Sequence, residues 1–275
     1  MGQSSLIGLV RLVHPAPAAA VVALSAALAA ILAADAGRSP LDARVLLVVL
    51  SVAGSQVLTG ALNDWADRER DAAAGRDKPI PRGLATPRAA LIVAALGAVL
   101  QLGASLPLGP LALVLGVVAS GSAVAYNLWL SRTPASVVPY LVSFGVLPAW
   151  IAAGVGVPLE RVAGAVALVG PFAAAAHLAN VLRDYDADRA TGSRNLAQVL
   201  GRRRTATLAL ALALAVGLGV GIAFATAGRL TLPSALLGAL GLVAVGQGVV
   251  GPHRLWPGIL VAAVCWTVAW ALATA

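Results

Sequence analysis

Residues 63–76 read NDWADRERDAAAGR, and residues 180–194 read NVLRDYDADRATGSR. Both contain Asn-x3-Asp-x3-Asp-x3-Gly: Asn63, Asp67, Asp71 and Gly75 in the first, Asn180, Asp184, Asp188 and Gly192 in the second. The offset is 117 residues at all four positions. Residues at i, i+4 and i+8 share one helix face, about 6 Å apart per step. Each copy therefore predicts an oxygen-rich ridge on a helix that ends at its glycine. Like charges so spaced repel, and a helix C-terminus disfavours anions further. Something cationic must offset that cost.

The composition says what kind of helices carry these ridges. Of 275 residues, 60% are hydrophobic and 11% charged, with a mean hydropathy of +0.90. Soluble domains are about 25% charged. So apolar a chain has too little polar surface to cover a globule in water, and the hydrocarbon of a bilayer is the solvent that fits. Spans of roughly 20 apolar residues are predicted at nine places, about 16–34, 44–62, 88–107, 109–128, 135–154, 161–182, 205–226, 231–250 and 256–274. Their runs do not alternate, which disfavours a β-barrel. The expected fold is an all-α integral membrane bundle of about nine helices, one transmembrane domain over residues 1–275. The opening MGQSSLIGLVRLVHPAP has too short and broken an apolar run for a signal peptide. Cys265 is a lone cysteine in an apolar stretch, expected to pack as a small hydrophobe.

With the connections alternating sides, fifteen of the nineteen Lys and Arg residues fall on the side of the N-terminus and four on the other. The positive-inside rule then predicts a cytoplasmic N-terminus. This clustering beside spans also accounts for the pI near 11.2 without nucleic acid. The expected location is a bacterial cell membrane, with the site opening to the cytoplasm and lipids as neighbours. Both polar loops, about 63–87 and 183–204, follow spans of one orientation, as parallel duplication would give.

Eight of the eleven acids lie in these two loops. Amide and carboxylate oxygens without His or Cys suit a hard ion, and Mg²⁺ is favoured because it takes one or two carboxylates plus substrate phosphates. Two such ridges would hold two or three Mg²⁺ ions around one diphosphate. Arg76, Lys78, Arg132 and Arg194 are candidate cations for the remaining phosphate charge. Polar residues inside an apolar helix tend to face a cavity or a partner. Asn180 is expected to line the site, whereas His177 is balanced between that and interhelical hydrogen bonding.

The run NDWADRERD followed by DKPIPRG resembles the first motif of the UbiA superfamily of intramembrane prenyltransferases, Asn-Asp-x-x-Asp-x-x-x-Asp with a basic-Pro-x-Pro-x-Gly segment. DYDADRATG is similar to the second, Asp-x-x-x-Asp with a downstream Gly. The resemblance implies a nine-helix bundle that binds an isoprenyl diphosphate through Mg²⁺. Asn63, Asp67, Asp71, Asp184 and Asp188 match the metal-binding positions, the four aspartates being catalytic. With the cations and Asn180 named above, the expected substrate-binding residues are Asn63, Asp64, Arg76, Lys78, Tyr126, Arg132, Asn180 and Arg194. Members often carry a Tyr and then a Lys after span 4; here Tyr126 is present, Ser131 stands where a Lys is expected, and Arg132 is the substitute.

The implied reaction is ionisation of the allylic diphosphate, which a preorganised cationic clamp favours. A lipophilic acceptor, such as an aromatic ring of the quinone-precursor kind, then captures the carbocation away from water. The alternative within the superfamily is a terpene cyclase or synthase that needs no second substrate. A cation transporter fits less well, because its charges would lie near the bilayer midplane. Of the other residues, His14 is expected to be structural at a turn beside Pro15, and Trp65, Trp129, Trp150, Trp256 and Trp270 to belt the interfaces. Gln101 and Gln247 are expected to serve packing, and Arg202, Arg203 and Arg204 to mark topology and meet anionic lipid.

Overall fold

The computed structural model describes residues 4–274, and their ordered elements are helical. Short α1 (Leu6–Leu12) precedes α2 (Pro15–Asp35), α3 (Ala43–Ala73), α4 (Pro87–Ser105), α5 (Pro110–Leu128), α6 (Val138–Val155) and α7 (Ala163–Arg183). Two short helices, α8 (Tyr185–Ala190) and α9 (Leu196–Leu200), lead to α10 (Arg202–Thr226), α11 (Leu232–Val250) and α12 (Leu255–Thr274). Starts follow local chemistry. Proline occupies the first turn of α2, α4 and α5, where no N–H is missed. Thr86 caps α4 by accepting from the Ala89 N–H at 3.1 Å, and Asp42 caps α3 by accepting from Arg44 at 2.7 Å.

Among the described residues, eight helical segments are long and apolar enough to cross a membrane. The sequence predicts these eight and a ninth, which coincides with the 20-residue α12. Large apolar side chains face outward, as with Leu96 and Val264 at 62% and 63% exposure, whereas Gln101, Ser105, Ser51 and His177 are buried. That inversion of the soluble pattern is what a hydrocarbon solvent selects. The chain is an integral membrane protein.

The chain divides into two compact units, residues 1–129 with 146–162, and residues 130–145 with 163–275. In the first, α3 and α4 pack backbone against backbone. A methyl group on Gly54 would run into Gln101, and one on Gly97 into Leu58, the close approach that small residues allow between membrane helices. Ser51 Oγ lies 2.5 Å from Ser105 Oγ, and Gln101 Nε2 donates to the Gly116 carbonyl and to Ser120 Oγ, each at 2.9 Å. Gln101 thus packs, as expected. Arg44 donates to the carbonyls of Gly154 and Leu108, each at 2.8 Å, tying down the start of α3.

In the second unit, Leu178, Val216, Ile259 and Trp266 form the centre of a buried cluster that includes Cys265. Cys265 packs as a hydrophobe, as read from sequence. Methyl groups on Gly217 or Gly241 would strike the Trp266 ring, whose indole N–H donates to the Gly238 carbonyl at 3.2 Å. Trp150 departs from its expected interfacial role: it is 1% exposed in the first unit, against Gly116. A glycine on the facing helix leaves room for the indole, a pairing that single-sequence position does not reveal.

Candidate active site

The first acidic ladder stands on α3, which runs unbroken for 31 residues. That is about 46 Å of helix against roughly 30 Å of hydrocarbon, so its last three turns extend beyond the apolar core. There Asn63 Nδ2 donates to Asp67 Oδ2 and to Asn127 Oδ1, each at 3.3 Å. Asn127 in turn donates to the Thr59 carbonyl at 2.8 Å. Arg70 pairs with Asp67 at 2.7 Å and Arg76 with Asp71 at 3.7 Å. Asp67 and Asp71 are both buried. The cation that the spacing calls for is therefore supplied in part by the ladder's own arginines.

Asp64 points off this ridge. One residue on from Asn63, it lies about 100° around the helix, is 1% exposed, and accepts from Lys78 Nζ at 2.7 Å. His14 Nε2 is also 2.7 Å from the same Oδ1. His14 has φ 53° and ψ 65°, a left-handed conformation that costs a non-glycine residue about 1–3 kcal/mol and is unusual before proline.

The second ladder is not one helix. α7 ends at Arg183 and Asp184 sits at the junction with α8, although the Asp188 N–H still donates to the Asp184 carbonyl at 2.8 Å. The expected straight ridge through Asn180, Asp184 and Asp188 is thus bent at its middle. Asp188 accepts from Asn195 Nδ2 at 2.8 Å, and Gln198 donates to the Tyr185 carbonyl at 2.7 Å. Arg202 stacks 4.4 Å over the Tyr185 ring and pairs with Asp186. It pins α8, whereas the sequence reading gives it only a topological and lipid-contacting role; Arg203 and Arg204 are exposed.

Both ladders close with the same backbone motif. Gly75 and Gly192 have φ of 64° and 71°. The Arg76 N–H donates to the Asp71 carbonyl at 2.9 Å, and the Ser193 N–H to the Asp188 carbonyl at 3.0 Å. The glycine N–H groups reach Ala72 and Arg189 at 3.1 and 3.2 Å. These are Schellman caps, in register across the 117-residue offset.

The expected cations Arg132 and Arg194 meet in the second unit, where the Arg194 N–H donates to the Arg132 carbonyl at 3.0 Å and both side chains are exposed. His177 Nε2 is 3.3 Å from Ser136 Oγ, and its ring stacks on Tyr140 at 4.3 Å. Of the two roles weighed for it, this is the interhelical contact. Tyr126 lies half-buried at the end of α5, beside buried Asn127. Asn127, Arg70 and Asn195 are not singled out by the sequence reading, and His14, read there as structural at a turn, also reaches Asp64; the signal available was a polar residue beside an apolar run, as in YNLW for Asn127.

Among the described residues no three His, Cys, Asp or Glu side chains form a metal cage. Each ladder offers two carboxylates and an amide, hard oxygens suited to an ion that completes its shell with water and phosphate. The donor set therefore fits Mg²⁺.

The chain thus carries two aspartate ladders, each suited to a hard cation and phosphate, on helices of a membrane protein. Residues 23–252 match the model of the UbiA prenyltransferase family. The chain is 30% identical over 201 residues to the digeranylgeranylglyceryl phosphate synthase of Natronomonas pharaonis, covering 72% of this chain and 70% of that protein. Two solved structures share the fold. A UbiA homolog from Aeropyrum pernix K1 has a TM-score of 0.72 at 20% identity, covering 91% of this chain and 96% of its own. A UbiA homolog from Archaeoglobus fulgidus bound to GPP and Mg²⁺ has a TM-score of 0.65 at 15% identity, covering 98% and 100%. The chain belongs to the UbiA prenyltransferase family, and it is an enzyme of the prenyl-transferring class.

Proposed function

We propose that the protein is a Mg²⁺-dependent transferase that moves an isoprenyl group from its diphosphate to a lipophilic acceptor in a bacterial cell membrane, its site opening to the cytoplasm. The observation that carries this reading is the pair of in-register aspartate ladders, each closed by the same glycine cap. The chain works as one functional domain over residues 1–275. Asn63, Asp67, Asp71, Asp184 and Asp188 would hold Mg²⁺, which when bound supplies Lewis-acid withdrawal of charge from the diphosphate. Lys78, Arg76, Arg132 and Arg194 carry donors to phosphate oxygens, stabilising the leaving group as the allylic C–O bond lengthens. Asn180 and Tyr126 line the substrate site. Apolar walls of the bundle exclude water while the carbocation exists.

For the acceptor, the relative's name favours a prenylated glyceryl phosphate over the aromatic ring expected from sequence. The test is to incubate purified protein and Mg²⁺ with geranyl, farnesyl and geranylgeranyl diphosphates and an acceptor panel that contains both classes, and to identify products by mass spectrometry. Transfer to a glyceryl phosphate supports the reading, transfer to an aromatic acceptor corrects the acceptor class, and a cyclised product without acceptor replaces transfer by the cyclase alternative.

A further inference from the structure

We infer that Asp64 and His14 are positioning residues that hold the Lys78 ammonium ready for the prenyl diphosphate. The inference rests on the reading of Lys78 as a phosphate-binding cation. Two stretches at least 50 residues apart meet here: α3 with the loop that follows it, which carry Asp64 and Lys78, and the junction of α1 with α2, which carries His14. Lys78 Nζ and His14 Nε2 both lie 2.7 Å from one oxygen of Asp64 and 3.0 Å from each other.

Burial is graded across the cluster. The Asp64 side chain is 1% exposed, while those of Lys78 and His14 are 26% and 29% exposed. The acid is thus at the back and the cation at the front. A lysine ammonium sits on a four-carbon stem that wanders when unanchored, and fixing it before substrate arrives lowers the ordering cost of binding. Asp64 also lies off the face shared by Asn63, Asp67 and Asp71, so it does not extend their ridge.

The backbone supports the same conclusion. Among the described residues His14 is the one non-glycine residue with positive φ, and it precedes Pro15. Such conformations persist where surrounding contacts fix them, and they cluster at functional sites. The contacts of the His14 ring with Asp64 and Lys78 supply that fixation. A histidine that served only a turn would have no reason to reach a buried carboxylate.

The test uses the full chain in nanodiscs, with geranylgeranyl diphosphate, a geranylgeranylated glyceryl phosphate as acceptor and a Mg²⁺ titration, read as diphosphate release. Asp64→Asn and Lys78→Met should each raise KM for the diphosphate about tenfold, with the Mg²⁺ midpoint unchanged. Combining them should be no worse than Lys78→Met alone, because the anchor acts only through the ammonium. Lys78→Arg should recover most of the loss when Asp64 is present and little of it beside Asp64→Asn. His14→Asn, which tolerates the left-handed backbone, should give a smaller rise in KM.

A shifted Mg²⁺ midpoint in Asp64→Asn alone would instead make Asp64 a metal ligand and overturn the inference, as would losses that multiply in the double variant. Should the buried substitution unfold the protein, Lys78→Met and His14→Asn supply a second pair, and multiplying losses there overturn it equally. A wild-type chain that turns over no prenyl diphosphate overturns the proposed function and this inference together. An active wild type with an unaffected Asp64→Asn overturns this inference alone.

Discussion

In the first ladder Asp67 and Asp71 stand on an unbroken helix and take guanidinium partners from the same segment, Arg70 at 2.7 Å and Arg76 at 3.7 Å. In the second, Asp184 sits at the bend between α7 and α8, and Asp188 accepts an amide from Asn195 at 2.8 Å. Yet the two glycine caps agree hydrogen bond for hydrogen bond. The position 117 residues after Lys78 is Asn195, so a cation in one copy is an amide in the other. The backbone cap has thus kept its register while the side chains that serve the acids have diverged. A cap needs only glycine and main-chain groups, whereas a neutralising partner depends on what each ladder must bind.

If both ladders serve one diphosphate, removing a carboxylate from either should be equally severe. Asp67→Ala and Asp184→Ala are each expected to cut diphosphate release at least about a hundredfold, the range reached when even outer-shell partners of a metal are lost. Circular dichroism should show unchanged helix content. Near-normal turnover in one of the two would break the symmetry and confine the chemistry to the other ladder. Chelation is the companion measurement: excess EDTA should abolish turnover and added Mg²⁺ restore it, and activity that survives EDTA would end the metal role of both ladders at once.

Arg132 sharpens the comparison from the side of the cations. Its carbonyl is held by the Arg194 N–H, and its side chain is exposed one residue after Ser131, the position where the sequence resemblance leads one to expect a lysine. Arg132→Ala is expected to weaken prenyl-diphosphate binding roughly 10- to 100-fold, the worth of a charged hydrogen bond of about 1.5–3 kcal/mol. Wild-type kinetics in a correctly inserted variant would leave Arg132 as a topology marker only. The smallest effect concerns the shared cap. Gly75→Ala and Gly192→Ala each force a methyl group into a left-handed conformation, at about 1 kcal/mol. Each should lower the melting midpoint by about 2–4 °C. A difference between the two larger than that would show that the caps, alike in geometry, are not alike in load.

The spacing of the ladders made them legible, because a four-residue period among oxygens has few meanings in so apolar a chain. The spans were legible for the same reason, through hydropathy alone. What escaped was long-range. His14 reads as a turn residue until Asp64 is brought 2.7 Å from it across 50 positions. Trp150 lies near a predicted span end, where belting is the usual reading, and its burial depends on a glycine in another helix. The bend at Asp184 has no local marker, since neither glycine nor proline occurs between Pro171 and Gly192. The stacking of Arg202 on Tyr185 is the tertiary contact beside it.

One consequence of α3 concerns the lipid rather than the ligand. The helix is anchored at its start by Arg44 and is about 46 Å long, so its first ladder is carried at a set distance from that anchor. A thicker bilayer cannot be met by sliding the helix along its axis. It must be met by tilt or by local thinning of the lipid, each costing a fraction of a kcal/mol per Å of mismatch. Turnover should therefore respond to the acyl-chain length of the host membrane, so that the helix acts as a depth gauge for the chemistry at its end.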